Sequence, residues 1–426
     1  MDEQEVAGPE AAGAPAVPPV PTGAAGETQR LLSSRIVALL VGTVSALGSF
    51  YLLLPIVPLY AAAPYGTGNG AAGVAAGLAT GTMMLSTVLT ELAMPGVLRR
   101  FGYRMAFALG LVLLGAPAAV LPVSASMVLV LGVCLARGAG LGIVAVAGTA
   151  LMADLSPAER HGEGLGIYGV AVGIPSIVCL PLGLWLQLQV GFGPVFVLGA
   201  ALSLLTLAVV GALPGRTTRG EHAGGGPAGP LRGGLVRPAT VFGAVTLASG
   251  VQLTFLPLAM PTESRQVAAL ALLAQSCVTP VARWTAGRYS DRHGSAGLLM
   301  PAVLAAALGT AAVARVDSPL AVILGMGSFG IGFGVAQNVT LTLMLQRVPR
   351  SGYGRVSALW NLAYDFGIGL GAVGVGFLTG PAGYPACFAL TAGVLGAALV
   401  VAWRDRSVQR PRAARSSSVE QAGRGP

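Results

Sequence analysis

The chain has 426 residues, of which 54% are hydrophobic and only 10% are charged, and its net charge is +9. A soluble domain carries about 25% charged residues because it needs a charged surface, so this composition excludes an ordinary soluble globular protein. All 25 basic residues are arginine. Their positions along the chain, given below, decide whether the positive charge indicates nucleic-acid binding.

The first 35 residues are rich in Pro, Ala, Gly and Glu. They contain no apolar segment next to a basic start, which a secretory signal peptide would need. A segment with few large apolar residues cannot form a core and is typical of disorder. We therefore expect residues 1–35 to be a disordered tail.

Apolar segments fill most of the remaining chain, and each is long enough to cross a hydrocarbon layer of about 30 Å as a helix. The predicted spans are 36–60, 71–94, 104–122, 126–150, 164–187, 192–213, 237–260, 266–286, 296–315, 319–345, 356–379 and 384–403. The pattern predicts an all-α integral membrane protein with twelve transmembrane helices.

Residues 214–236 are the longest interruption between spans and are rich in Gly and Pro. This linker separates a six-helix half at 36–213 from a second six-helix half at 237–403. Residues 404–426 are rich in Arg and Ser, and we expect them to be a disordered tail.

The arginines give the predicted orientation. If the N-terminus is cytoplasmic, all but three of them lie on the cytoplasmic side, the exceptions being Arg137, Arg265 and Arg315. Positive residues are enriched in cytoplasmic loops, so we expect both termini in the cytoplasm and the chain in the inner or plasma membrane. The basic charge is then an orientation signal, and no nucleic-acid partner is expected.

An internal repeat appears at an offset of 192 residues. The related positions are 95–102 with 287–294, Gly138, Gly140 and Gly142 with Gly330, Gly332 and Gly334, Pro157 with Pro349, and Gly162 with Gly354. The offset predicts two parallel halves related by an axis along the membrane normal, with the substrate handled between them.

The loop between the eighth and ninth spans reads GRYSDRHG and resembles the GxxxDRxG signature of the major facilitator superfamily. The copy in the first half has Arg99 where the family has Asp. The resemblance implies a gate motif made of Gly287, Asp291, Arg292, Gly294, Arg100 and Gly102.

Three other segments extend the resemblance over nearly the whole chain. RGAGLG at 137–142 is similar to the RxxxGxG segment of helix 4 in that family. Residues 47–58 resemble the helix 1 signature of twelve-helix drug exporters, one residue off in spacing, and Gly169, Gly173 and Pro175 partly match the antiporter motif of helix 5. The resemblance implies the major facilitator fold.

For Asp291 the family pattern implies a place at the positive N-terminus of the fifth helix, near 162–166, where the contact would hold the cytoplasmic gate closed. A solvated loop charge is the alternative. Arg99 cannot replace Asp291 because a helix N-terminus repels a cation, so we expect the two gates to differ.

Ionisable residues inside the bilayer are few, and the candidates among them are Glu91, Arg137 and Asp365. A charge in the bilayer costs about 2.5–3.5 kcal/mol even on insertion scales, so such residues usually face a cavity or a partner. Asp365 could carry a proton, bind a cationic substrate or make a structural polar contact. The family resemblance links Arg137 to proton coupling, and Glu91 could instead reach the membrane surface or pair locally.

Seven polar or aromatic residues are candidates for a substrate cavity: Gln252, Gln275, Gln337, Asn338, Trp360, Asn361 and Tyr364. Each alone could equally make a contact between helices. The cluster at 361–365 is favoured because its members lie within about one helical turn of one another.

No metal or cofactor site is expected. The four cysteines lie in separate spans and the three histidines in predicted loops, so neither forms a ligand set. The GxGxxG pattern at 68–73 lacks a βαβ unit, and without lysine there is no phosphate-binding GxxxxGK motif.

These observations predict a secondary transporter that works by alternating access, not an enzyme. The leading hypothesis is a monomer that exports a small organic compound, such as a drug or secondary metabolite, in exchange for protons. A proton-coupled importer of a small nutrient is the alternative within this class, and a membrane sensor or scaffold without transport is the alternative outside it.

Overall fold

The computed structural model describes residues 33–66, 70–156, 160–214, 233–295, 297–349 and 352–422. Residues 1–32 and 215–232, which hold most of the predicted N-terminal tail and the linker, lie outside the described residues. Every regular element in the described ranges is a helix.

The first half contains six helices that alternate in direction. They are α1 (Ser34–Leu53, continued as Ile56–Ala62), α2 (70–101), α3 (103–115, continued as the 3-10 helix Ala116–Val123), α4 (Met127–Leu155), α5 (His161–Val190) and α6 (Phe192–Leu205, continued as Leu207–Val210).

The second half repeats this arrangement. Its helices are α7 (Gly233–Ala259), α8 (Arg265–His293), α9 (Leu299–Val313), α10 (Pro319–Leu345), α11 (353–382) and α12 (384–422).

Within the described residues, twelve helices therefore follow the twelve predicted spans. By length and hydropathy, nine helical segments of the described residues are able to cross a membrane. Two of these segments, Gly70–Val123 and Tyr353–Arg404, each contain two helices, which are divided at Gly102 and Gly383. The remaining helix, Leu299–Val313, is apolar but shorter.

The C-terminal segment differs from the sequence-based expectation. Residues 404–426 are predicted to be disordered, whereas the backbone of α12 is helical as far as Ala422.

Glycines with a positive φ mark where consecutive helices reverse direction. Gly102 and Gly294 have φ of 73° and 83°, and Gly191 and Gly383 have φ of 80° and 74°. Side chains disfavour this region of backbone space, and glycine does not. The members of each pair are 192 residues apart, so the internal repeat is present in the backbone itself.

The repeat extends to single contacts between helices. The Thr87 hydroxyl of α2 donates to the carbonyls of Met83 (3.0 Å) and Gly138 (3.1 Å). Thr279 of α8, 192 residues later, donates to the carbonyls of Gln275 (2.8 Å) and Gly330 (3.3 Å). In both halves a glycine lets the two backbones approach closely enough for this bond.

The bundle has two faces, which are called the termini face and the distal face below. The termini face carries the start of α1 and the turns at Gly102 and Gly294, and the distal face carries the turns at Gly191 and Gly383.

Buried apolar residues show how the halves meet. One core contains residues of both halves, such as Leu53 and Ala76 from the first and Leu272 and Val375 from the second. Its members from the second half all lie toward the distal face. Toward the termini face the second half has separate cores of its own. Among the described residues, the halves thus share a core only on the distal side, so the space between them opens to the termini face.

Candidate functional site

The distal side is closed by a seam between residues 70–84 of α2 and 369–380 of α11, called the distal seam below. A Cβ atom on Gly77 would lie 2.5 Å from the carbonyl oxygen of Ala372, and one on Gly369 would lie 3.0 Å from the Met84 side chain. The backbones are therefore in direct contact, as glycine-rich membrane helices allow. A hydrogen bond between the hydroxyls of Thr80 and Thr254 (3.0 Å) also joins the two halves here.

Two carboxyl groups lie where the distal seam ends. Asp365 is one helical turn beyond Gly369 on α11, and Glu91 is two turns beyond Met84 on α2, both toward the termini face. Glu91 acts electrostatically on Asp365. Asp365 is only 8% exposed and has no hydrogen-bond partner among the described residues. The structure thus brings together two of the predicted site residues, one from each half.

Tyr51, Arg283 and Tyr364 complete this cluster. Tyr51 of α1 interacts electrostatically with both Asp365 and Arg283, and so does Tyr364 of α11. Arg283 donates to the side-chain oxygen of Gln337 (3.2 Å) and is otherwise accessible to solvent. Two carboxyls, two phenols and a guanidinium therefore lie in the same region of the bundle.

The sequence analysis counts Arg283 among the arginines on the cytoplasmic side, although the predicted span 266–286 contains it. It lies within α8, ten residues before the helix ends at His293, which is about 15 Å along the axis. Its side chain lines the opening rather than a loop.

Aromatic side chains of the second half form one wall of the site. The rings of Phe242 and Trp360 stack with centroids 4.5 Å apart, and Trp360 continues to Tyr364 at 6.0 Å. The Trp360 indole donates to the Thr340 hydroxyl (3.2 Å), which fixes its orientation. Asn361 is exposed on the same helix.

Arg137 lies elsewhere. It is buried within the first half, where its guanidinium donates to the carbonyls of Leu114 on α3 (2.5 Å) and Ser49 on α1 (3.2 Å). No contact between Arg137 and Asp365 is present among the described residues. In this conformation Arg137 joins three helices of one half and does not face Asp365.

The four candidate amides other than Asn361 divide between packing and the site. Gln252 is fully buried and donates to Thr310 of α9 (2.8 Å), so it joins two helices of the second half and does not line a cavity here. Gln275 is buried where α8 meets α10, and Asn338 is half-buried close to Gly287. Only Gln337 contacts the cluster, through Arg283.

The predicted gate motifs lie on the termini face. Asp291, Arg292 and Arg100 are exposed, and the backbone turns at Gly102 and Gly294. Asp291 has no partner among the described side chains. Its predicted partner is the first turn of α5, of which several side chains are not among those described, so the contact stays a prediction.

Comparison with known proteins identifies the family. A family model of the Major Facilitator Superfamily matches residues 39–257 and again residues 239–425. The chain belongs to the major facilitator superfamily. The superfamily consists of membrane transporters of small molecules, so the chain is a multi-pass membrane protein with the fold of a secondary transporter. A search of curated protein sequences found no significant match.

Solved structures of superfamily members agree with this fold. A POT family transporter in complex with a thioalcohol-conjugated peptide is 14% identical, with a TM-score of 0.68, 88% of this chain covered and 96% of that one. The nucleoside transporter NupG is 13% identical, with a TM-score of 0.67 and coverages of 88% and 99%. The xylose transporter XylE from E. coli, in a partially occluded inward-open conformation, is 15% identical, with a TM-score of 0.66 and coverages of 87% and 98%. At these identities the likeness shows the fold alone.

Sequence reasoning did not place Tyr51 and Arg283 in this superfamily member's site. Tyr51 carries no pattern that separates it from other aromatic residues of an apolar span. For Arg283 a signal exists in the sequence, because it is 192 residues after Glu91 and therefore occupies the equivalent position of the second half.

Proposed function

We propose that the chain is a proton-coupled exporter of a small organic compound that works by alternating access. The single observation that carries the proposal is the buried carboxyl of Asp365, which lies one helical turn from the distal seam, with the carboxyl of Glu91 from the other half further along α2. When such a seam opens and closes, the surroundings of both carboxyls change.

The groups around the pair fit a proton-carrying role. Glu91 from α2, Tyr51 from α1 and the neighbouring Tyr364 are the titratable groups near Asp365. Two ionised carboxylates would repel each other in this low-dielectric site, so a proton or a bound cation between them stabilises the conformation described here. A proton and a cationic group of the substrate therefore compete for one place, which couples their opposite movements.

The direction of transport is part of the proposal. The arginine distribution favours cytoplasmic termini, and the space between the halves opens to the termini face. In this orientation a monomer in the inner or plasma membrane would load its substrate from the cytoplasm. The similarity of residues 47–58 to the helix 1 segment of drug exporters supports export over import.

A susceptibility panel tests this proposal. Cells that express the chain are exposed to toxic organic compounds of varied charge, with and without a protonophore. We expect protection against at least one compound and loss of that protection with the protonophore or with Asp365→Asn. Increased sensitivity would instead indicate proton-coupled import, and an unchanged profile in all conditions would contradict proton-coupled transport of these compounds.

A further inference from the structure

A cavity of about 220 Å³ lies at the distal face, between the ends of helices from both halves, and is called the distal pocket below. From the first half its wall includes the end of α1, the turn that follows it and the start of α6. From the second half it includes the end of α7 and the start of α8. The lining residues used below are Leu59, Ala63, Gly66, Phe192, Leu258 and Arg265. Because both halves contribute, neither half could form this pocket alone.

The wall from the first half is apolar and held in place. The Tyr60 hydroxyl donates to the carbonyl of Leu121 (2.8 Å). The Tyr60 ring packs edge-on against Phe192, with ring centroids 5.2 Å apart, and against Phe196 at 5.0 Å. The Phe192 ring is therefore fixed where it lines the pocket, and another aromatic ring can pack on it.

Arg265 is the charged residue of the lining. Its side chain is half-buried, and its Nε atom is buried without a hydrogen-bond partner among the described residues. Glu263, two residues earlier, is exposed and forms no ion pair with it in that part of the chain. Arg265 also begins α8, whose N-terminus carries a partial positive charge. A buried donor without a partner is costly, so an anion in the pocket would stabilise this arrangement.

We propose that the distal pocket binds a small aromatic carboxylate from the distal compartment and that this ligand holds the distal side closed. A carboxylate accepts hydrogen bonds from a guanidinium in a well-matched geometry, and the ring packs on Phe192. A cavity of about 150 Å³ can hold benzene. The distal pocket is large enough for a ring with a carboxylate but not for the two chains of a phospholipid.

The closing effect follows from the position of the pocket. The end of α1 contacts α7, and the hydrogen bond between Thr80 and Thr254 lies one helical turn before Leu258. When the distal side opens, these contacts break and the two walls separate. A ligand that needs both walls binds only the closed conformation and increases its population. The inference does not depend on proton coupling, on the transported substrate or on the direction of transport.

Binding to the purified full-length protein in nanodiscs of neutral phosphatidylcholine tests the inference. The probes are benzoate, benzyl alcohol and benzylamine, which share the ring and differ in charge. We expect benzoate to bind about ten-fold tighter than the alcohol or the amine. Equal affinities for the three probes, or no binding of benzoate, would overturn the inference.

Three variants place the bound benzoate. Arg265→Gln should lower its affinity about ten-fold, to that of benzyl alcohol. Ala63→Phe, at an exposed residue of the lining, should fill the pocket and remove the binding of both probes. Arg315→Gln is the matched control, since it makes the same change at an exposed arginine of the distal face outside the pocket, and it should leave both affinities unchanged. Benzoate binding that is unchanged in Arg265→Gln and Ala63→Phe would assign it to another site.

A pair of glycine variants tests the closing effect. Gly77→Ala places a methyl group 2.5 Å from the carbonyl oxygen of Ala372, which pushes the halves apart, so benzoate should bind about ten-fold more weakly. Gly132→Ala has room for the methyl group and should leave the affinity unchanged. Equal benzoate affinities in these two variants would contradict a site that requires contact between the halves.

Discussion

Asp365 shows what the depth of a single residue in a span predicts and what it does not. Its place near the middle of a predicted span is enough to expect a buried carboxyl with a function. The structure adds that Glu91 of the other half is nearby and that Arg137, the predicted coupling residue of the first half, is held by two carbonyls there. Depth along a helix can be counted from the sequence, but the direction in which a side chain points depends on packing with other helices.

Asp365→Asn should abolish proton-driven transport and leave counterflow exchange of the substrate, which needs no net proton movement. The amide keeps the shape of the carboxyl but cannot release a proton. Both activities are measured in vesicles reconstituted with the purified protein, for a compound identified by the susceptibility panel.

Asp317→Asn is the matched control, since it makes the same change at an exposed carboxyl on the distal face, and both activities should stay at the wild-type level. Full proton-driven activity in Asp365→Asn would remove this residue from the coupling mechanism. Loss of counterflow as well would show that the cationic group of the substrate needs Asp365 and cannot bind to Glu91 alone.

At the scale of elements, the distal seam depends on glycines whose contact partners on other helices cannot be read from the sequence. Glycines are frequent in most spans, so composition alone cannot tell which of them contact another helix. In the structure Gly77 of α2 lies against the backbone of Ala372, whereas Gly132 of α4 has open space around its Cβ position.

Gly77→Ala should open the distal seam, because the new methyl group would lie 2.5 Å from a backbone oxygen that cannot move by a rotamer change. We expect a stability loss of about 1–3 kcal/mol in the described conformation. The measurement is the maleimide labelling rate of Thr254→Cys, a buried position next to the seam, on a background without the four native cysteines.

Gly132→Ala serves as the comparison, because alanine is also the better helix former and has room there. It should leave the labelling rate of residue 254 unchanged. If residue 254 is labelled as slowly in Gly77→Ala as in Gly132→Ala, the seam tolerates the methyl group and does not set the conformation.

The two gate loops should also differ in effect. Asp291→Asn is expected to reduce turnover more than Arg99→Ala, because only an anion can interact favourably with the N-terminus of α5 when the termini face closes. Transport rates in reconstituted vesicles measure this difference. Equal reductions in the two variants would contradict the asymmetry.

For the whole molecule, the sequence predicts the number of helices, the two halves and the offset between them, because apolar length and repeated glycines are local signals. The offset of 192 residues holds for backbone turns such as Gly191 and Gly383, which were not part of the sequence motifs. The side on which the halves touch is not a local signal. It depends on which of several similar helix packings is lower in free energy, and a single sequence does not state this.

Spin-label distances between the halves, measured at acid and alkaline pH, test the central claim that protons on the Glu91–Asp365 pair select the conformation. Repeat-related exposed positions provide the labels: Phe101 with His293 on the termini face, and Val123 with Arg315 on the distal face. At acid pH a proton on the pair stabilises the described state, so the distal pair should be near and the termini pair far apart. In the wild type, raising the pH should lengthen the distance of the distal pair and shorten that of the termini pair. In Asp365→Asn both distances should stay at their acid-pH values at every pH. Distances that do not change with pH in the wild type, or that change equally in Asp365→Asn, would contradict the account.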